Sequence, residues 1–389
     1  MSTTATTRDM GTRYQICAQT VMDTSDPDIV FDADGVSNYV HDFEAFRITL
    51  PDTETRDRQL AETLAEIKRT SQGKTYDCVL GLSGGVDSSY MAWLAKDWGL
   101  NPLVVHFDNG WNSELAVNNI EEIVTRLGFD LETLVMDWEE FRDLQRAYFK
   151  ASVVDIEVCT DQLIQGALYR LAARHGIRAI LSGTNWATEW LMPPSWNYRK
   201  QDLVNLYNIH RQFGNVPLRK STTYGLRQQI WYTYVKGIKT YDILNLVEYS
   251  KARAKEVLIQ ELGWRDYGGK HYESVFTRFY QGHVLPQKFD IDKRRAHLSN
   301  LILTGEITRD EALRELQQPT YDEELQAEDK AYVGKKLGFS TEEFDAILSA
   351  GPVPHAQYGT DLEQRKRFMA WVTRLSKTRN ALLGRKPIP

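Results

Sequence analysis

From residue 76 onward, short apolar blocks alternate with longer stretches of helical spacing. Residues 77–82 (Asp-Cys-Val-Leu-Gly-Leu) form a compact apolar run, the pattern of a buried strand over Cys78–Leu82. Helical spacing follows over Ser88–Ala95. Leu103–Phe107 reads as a second strand after the break at residues 99–102, and Leu131–Met136 as a third. Between them the periodicity predicts a helix over Glu114–Leu127, stopped by Gly128. A helix over about Thr160–His175, capped by Gly176, leads to a fourth strand, Ala179–Ser182, ending at Gly183. Strands alternating with helices predict the α/β class with a doubly wound parallel sheet. The flanks read differently. Residues 28–32 and 46–50 look strand-like around turns such as Asp34-Gly35, and residues 53–70 have helical periodicity. After residue 195 the chain becomes aromatic, charged and helical, with helices expected over 241–262 and 308–380. The expected organisation is an N-terminal lobe (1–52), a sheet domain (53–195) and a mostly α-helical C-terminal domain (196–389) that closes over the sheet.

Composition narrows the function classes. The chain has 389 residues, enough for two or three domains and a sizeable core. Its net charge of −6 argues against a general nucleic-acid binder, which needs a basic face. Cys17, Cys78 and Cys159 are too widely spaced for a disulfide framework and suit a reducing compartment. The first residues lack an apolar signal core, and no apolar run is long enough to span a membrane. A cytoplasmic location is the expectation.

Between the first strand and its helix lies Ser83-Gly84-Gly85-Val86-Asp87-Ser88-Ser89. A strand, a glycine turn and a helix N-terminus direct backbone N–H groups and a helix dipole at an anion. Gly81, Leu82, Gly84 and Gly85 supply backbone, and Ser83, Ser88 and Ser89 supply hydroxyl donors. Asp87 would repel phosphate unless a cation bridges the two, which points to magnesium on a pyrophosphate. Spacing rules out a Walker A loop. The run resembles the PP-loop of the ATP pyrophosphatases, which cleave ATP between its α and β phosphates and leave AMP on a substrate oxygen. Sheets of this kind bind ligands at the carboxyl ends of their strands. His106, Asp108, Asn109 and Trp111 at the second strand's end are therefore candidates for the nucleotide or substrate, as are Gly183, Thr184, Asn185 and Glu189 beyond the fourth. Glu189 is also a candidate Mg²⁺ ligand. Gly268-Gly269-Lys270-His271 is a glycine-rich loop that presents cations; Lys270 suits a phosphate and His271 a substrate. Thr277-Arg278, Lys288 and residues 293–295 add further cations. Cys159, expected just before a helix, is a possible reactive thiol or a small apolar filler.

Several longer runs resemble one family, the bacterial N-acetyl sugar amidotransferases. They are residues 21–35, Asn109–Glu114, Gly268–Ser274, Leu285–Phe289 and His297–Ile302, and the likeness covers about residues 14–345. The resemblance implies an ATP- and Mg²⁺-dependent ligase that turns the acetamido group of a nucleotide-activated sugar into an acetamidino group, for lipopolysaccharide or flagellar sugars. It implies Asp87, Lys270 and Ser83 as catalytic residues. It also implies separate ammonia-supplying partners, a glutaminase and a cyclase-like subunit; position 2 is Ser, so the chain lacks an N-terminal cysteine nucleophile of its own. One departure concerns a small zinc ribbon that the family carries at its start. Its four positions here read Cys17, Thr20, Ser37 and Val40, and one thiol cannot make a four-thiolate zinc site. The lobe is then expected to rely on packing alone. Two other readings fit the PP-loop: a tRNA-modifying enzyme of the thiolation or lysidine type, and a non-catalytic nucleotide-sensing subunit.

Overall fold

The computed structural model describes residues 14–268 and 272–382, with side chains as far as Arg374. Five parallel strands form one sheet: β1 (Cys78–Gly81), β2 (Pro102–Asp108), β3 (Asp130–Val135), β4 (Ala179–Leu181) and β5 (Lys239–Tyr241). Their order is β3-β2-β1-β4-β5, with the reversal of chain direction across the sheet at β1. The helices through the sheet region are α1 (Asn38–Thr49), α2 (Thr53–Ser71), α3 (Val86–Asp97), α4 (Glu114–Leu127), α5 (Trp138–Ala151), α6 (Val158–Arg174) and α7 (Trp186–Glu189). Beyond them lie α8 (Leu203–Phe213), α9 (Leu226–Ile230), α10 (Lys251–Leu262), α11 (Val275–Phe279), α12 (Leu285–Phe289) and α13 (Arg294–Leu303). The chain closes with α14 (Arg309–Leu316), α15 (Glu323–Leu337), α16 (Thr341–Ser349) and α17 (Leu362–Leu382).

The central strands β1, β2 and β4 are buried on both faces, which explains why they read as continuous apolar runs, while the edge strands β3 and β5 are largely exposed. Successive residues of a strand point to opposite sides. Leu80 and Val104 join Met91, Ile120, Ile123 and Leu258 in one core, under α3, α4 and α10. Val79, Leu103 and Val105 join Ala167 and Leu171 in the other, under α6. A third core packs α5 and the start of α6 against the C-terminal helices through Phe149, Phe276, Phe279 and Phe344.

The structure differs from the sequence reading in four places. Residues 28–32 form no strand, and Phe31 makes only an isolated antiparallel bridge with Ser37. Residues 46–49 belong to α1 rather than to a strand. Tyr39, Val40 and Phe43 are buried at helical spacing, while Ile48, which alternation would send inward, is 82% exposed. Helix α5 was not anticipated. Strand β5 comes from the region expected to be helical; at three residues it is too short to show a period.

The N-terminal lobe brings together all four positions that the resemblance set against a zinc ribbon, with Cys17 at the centre. Cys17 Sγ accepts the backbone N–H groups of Thr20 (3.4 Å) and Ser37 (3.3 Å), and Val40 packs on Cys17. Burial pushes the Cys17 thiol pKa up, but the hydrogen bonds from Ser37 and Thr20 outweigh it and hold the pKa below the ordinary value. The expectation of packing alone is corrected: two arginines of the C-terminal region clamp the lobe. Arg309 donates to the carbonyls of Cys17 and Thr20, and Arg295 to that of Val21 while pairing with Asp23 at 3.0 Å.

Candidate active site

The glycine turn after β1 has the cradle geometry. Gly84 has φ +83°, a left-handed conformation that glycine alone adopts cheaply. A Cβ there would lie 2.8 Å from Tyr267 Oη and 3.1 Å from the Ala116 carbonyl oxygen. The Gly84 carbonyl is turned inward, where it accepts Trp264 Nε1–H (2.8 Å) and Tyr267 Oη–H (2.9 Å). With the carbonyl held inside, the N–H side of the turn is left for a ligand. Ser83 is exposed, and its Oγ lies 3.1 Å from Ser88 Oγ. Ser88 Oγ in turn donates to the Gly85 carbonyl at 3.2 Å. Ser89 is corrected: it is fully buried within α3 and cannot offer its hydroxyl to an anion.

Asp87 lies in the first turn of α3. Its Oδ1 accepts Asn185 Nδ2–H (3.3 Å) from the β4 loop and the Tyr249 hydroxyl from the segment before α10. Burial and the Asp87 charge push the Tyr249 pKa far up, so the phenol stays a donor. The charge of Glu189 contributes to the same shift, which places this exposed carboxylate near the group. Asn185 is itself fixed: it is buried, and its Oδ1 caps α7 by accepting Thr188 N–H at 2.9 Å. It therefore positions Asp87 and offers no free face to a substrate. Gly183 permits the contact between the two loops, since a Cβ there would sit 3.2 Å from Asp87 C and Ser88 N. Thr184 beside it is exposed.

At the end of β2, His106 is buried and bridges two loops. Its Nδ1 lies 3.2 Å from the Leu82 carbonyl and its Nε2 3.2 Å from Asn112 Nδ2. That network assigns the proton to Nδ1 and makes His106 a brace for the cradle rather than a ligand contact. Asp108 Oδ1 accepts Gly110 N–H (2.8 Å), and Asn109 Oδ1 accepts Trp111 N–H (3.1 Å). Both remain partly open. Trp111 is corrected as a substrate contact. Its indole is 1% exposed, packs on Trp138 and Phe276, and donates to Gln145 Oε1 at 2.9 Å.

Lys270 and His271 lie outside the described residues. Their flanks are both anchored at the site: Tyr267 on Gly84, and Ser274 in a bridge with Asn112 backed by the Ser113 N–H to Glu273 carbonyl bond of 2.9 Å. Other cations named from the sequence are structural. Arg278 makes two 2.8 Å bonds to Asp329, Arg294 pairs with Asp292, and Lys288 donates to Ser152 Oγ. Sequence reasoning missed Tyr249, Trp264 and Tyr267. The last two stand only a few residues before the Gly-Gly-Lys run, and that adjacency was the available signal.

A cavity of about 540 Å³ opens at the carboxyl ends of β2 and β3, walled by Phe107, Leu134, Met136, Leu163 and Ala167. Lys220, at its rim, pairs with Asp137 (2.5 Å). The cavity is mostly apolar with a few polar groups, the usual character of a small-molecule site. Cys159 is buried and donates to the Ile156 carbonyl at 3.0 Å, and burial pushes its thiol pKa far up, so it is packing and not a nucleophile.

Residues 273–373 match the model of a protein family described as "LPS biosynthesis protein WbpG-like, C-terminal domain". The match covers about a quarter of this chain. Arg278, Lys288, Arg294 and Arg295, the structural cations described above, all fall within the matched segment. A tRNA(Ile)-lysidine synthase from Chlamydia pneumoniae is 33% identical over 95 residues, which are 23% of this chain and 30% of that protein's length. Among solved structures, an NMN synthetase from Francisella tularensis superposes with a TM-score of 0.29 at 15% identity, covering 50% of this chain and 92% of its own. An NH3-dependent NAD synthetase from Campylobacter jejuni subsp. jejuni NCTC 11168 does so with a TM-score of 0.28 at 16% identity, covering 53% and 93%.

Proposed function

We propose that this chain is an ATP-dependent, AMP-forming ligase that replaces the acetamido oxygen of a nucleotide-activated N-acetyl sugar with nitrogen from ammonia, in lipopolysaccharide or surface polysaccharide biosynthesis. The observation that carries the reading is the cradle at Ser83–Ser88 with Asp87 fixed from two sides beside it. A turn of N–H groups at a helix N-terminus holds phosphate, and a lone carboxylate there serves a bridging cation. Among the described residues no three His, Cys, Asp or Glu side chains gather to cage a metal. One fixed carboxylate beside phosphates is the donor set Mg²⁺ takes when phosphate oxygens and water complete its shell. The chemistry a bound Mg²⁺ supplies is charge neutralisation on the departing pyrophosphate.

Ammonia does not displace the oxygen of an amide, because oxide is too poor a leaving group. The acetamido oxygen first attacks the α-phosphorus of ATP; the bond from that phosphorus to the bridging oxygen breaks and pyrophosphate departs. Ammonia then adds to the carbon of the O-adenylyl imidate and loses a proton. AMP leaves with the former amide oxygen, and an amidine remains. The chain's part is to position groups and stabilise developing charge. In this reading the Ser83 hydroxyl and the turn N–H groups receive pyrophosphate, and the cavity at β2 and β3 takes the nucleoside. Lys270, in the segment anchored at both ends, adds a positive charge. Asn109, Glu189 and His271 are assigned to the sugar. A separate glutaminase and a cyclase-like subunit supply the ammonia.

A second reading, tRNA modification of the lysidine type, is favoured by the stretch similar to the Chlamydia pneumoniae synthase. One assay separates the two. Pyrophosphate and AMP release are measured with ATP, Mg²⁺ and ammonium chloride across a panel of nucleotide-activated acetamido sugars, and products are weighed. A sugar with one oxygen replaced by NH supports the amidotransferase; release that requires tRNA overturns it. Lys270→Ala is expected to slow turnover at least about tenfold.

A further inference from the structure

On the far flank of the helical region, the π-helical turn Trp231–Val235 lies beside α17. Trp231, Tyr234, Val235, Met369 and Trp371 are each at least half exposed, though all are large and apolar or aromatic. They form one surface: Tyr234 packs edge-on to Phe368 with ring centres 6.2 Å apart, and Phe368 lies 6.1 Å from Trp371. Scattered exposed apolar residues need no explanation, but a shared patch of two elements does.

The charge around this patch departs from that of the rest of the molecule. Residues 362–374 contain four Lys and Arg and one Glu, a charge of +3 in a chain of −6, which leaves −9 elsewhere. Within the described part, Lys366, Arg367 and Arg374 are exposed, and Lys236 Nζ stands 5.4 Å over the Trp231 ring. A cationic rim around exposed Trp and Tyr is the composition of a surface that rests at a lipid headgroup layer. A symmetric dimer across the patch would set these cations against their own copies. The first three turns of α17 are exposed nearly all round, so this face is a convex ridge and not a groove. A ridge suits a deformable, anionic layer. Among the described residues no helix is long and apolar enough to cross a membrane, so the contact is with the surface.

We propose that this face docks the protein on an anionic bilayer, with Trp231, Tyr234, Met369 and Trp371 entering the headgroup region and Lys236, Arg367 and Arg374 meeting lipid phosphates. The test is co-sedimentation of the full chain with vesicles of phosphatidylglycerol and phosphatidylcholine in equal parts, against phosphatidylcholine alone. Binding to the anionic vesicles is expected, with at least about a tenfold loss of affinity in the Lys236→Glu/Arg367→Glu/Arg374→Glu variant. A loss is also expected for Trp231→Ala/Trp371→Ala and at high salt, with thermal midpoints unchanged because every substituted side chain is exposed. No binding to anionic vesicles, or binding that neither variant weakens, overturns the proposal. So does sedimentation velocity showing a dimer that Trp371→Ala dissolves, or a preference for tRNA over vesicles.

Discussion

Asp87 shows how much a single carboxylate depends on its neighbours. Asn185 and Tyr249 both donate to Oδ1, which fixes the carboxylate from two separate segments. Asp87→Asn is expected to abolish pyrophosphate release, because the amide neither balances a cation nor keeps both donors satisfied. Tyr249→Phe leaves the charge but removes one donor; a fall of about tenfold in kcat with folding intact is expected in the same assay. His355 makes a different prediction. It is buried against Tyr198 at a 3.8 Å stacking distance, with Nδ1 2.9 Å from Asn205 Oδ1. Burial pushes its pKa down from 6.5 to about 4, the Asp155 charge opposing this only in part. The unfolded chain therefore binds a proton that the folded chain refuses between those two values. Stability from this group is complete above pH 6.5 and declines as pH falls towards 4, by about 3 kcal/mol in all. Urea midpoints of the parent and His355→Asn, taken from pH 4.5 to 7.5, should show a shallower slope in the variant.

Helix α6 carries a constraint that belongs to the element as a whole. A Cβ at Gly166 would lie 1.8 Å from the Thr222 carbonyl oxygen, so the 222–223 backbone rests directly on the helix. Leu163, Ala167 and Thr222 are walls of the 540 Å³ cavity, and Gly166 sets their spacing. Gly166→Ala is expected to cost about 3 kcal/mol in urea unfolding, the upper range for overpacking. If the cavity holds the nucleoside, KM for ATP should rise in the variant by more than the change in kcat. Helices such as α4 were legible in the sequence because their signals are local. Ser113 caps it by accepting Ala116 N–H, Gly128 closes it at φ +67°, and one stripe is apolar. Helix α5 carries signals of the same kind, an Asp137 cap and a buried stripe, yet Glu140 and Asp143 are buried among its apolar residues. Its pattern is clear only once the loop backbone that Glu140 holds is in place, through the N–H groups of Arg219, Lys220 and Ser221.

At the scale of the molecule, the C-terminal region does more than cover the sheet. It contributes β5, the Tyr249 donor and the two aromatic bonds that turn the Gly84 carbonyl inward. Within it, Arg278 and Asp329 join α11 to α15 through a buried two-point ion pair. Breaking one side strands a buried charge, so Asp329→Ala is expected to cost about 3–5 kcal/mol. Replacing both partners by apolar residues of similar size should restore most of it, as a thermal melt of the two variants would show.

The sequence by itself determined the four-strand α/β frame and the place of the glycine turn after β1, because glycine turns, caps and strand–helix alternation act over a few residues. It also singled out the loops Ser83–Ser88, Asp108–Asn109 and Gly183–Asn185, which follow β1, β2 and β4. Which side chains in those loops face a ligand was decided only by tertiary packing. His106, Trp111, Asn185 and Ser89 have the right chemistry but are buried as braces, caps or core. Tyr249, Trp264 and Tyr267 gain their roles from a chain segment more than 150 residues away from the turn they hold. Contacts across that separation depend on how the layers pack, and no local pattern along the chain encodes them.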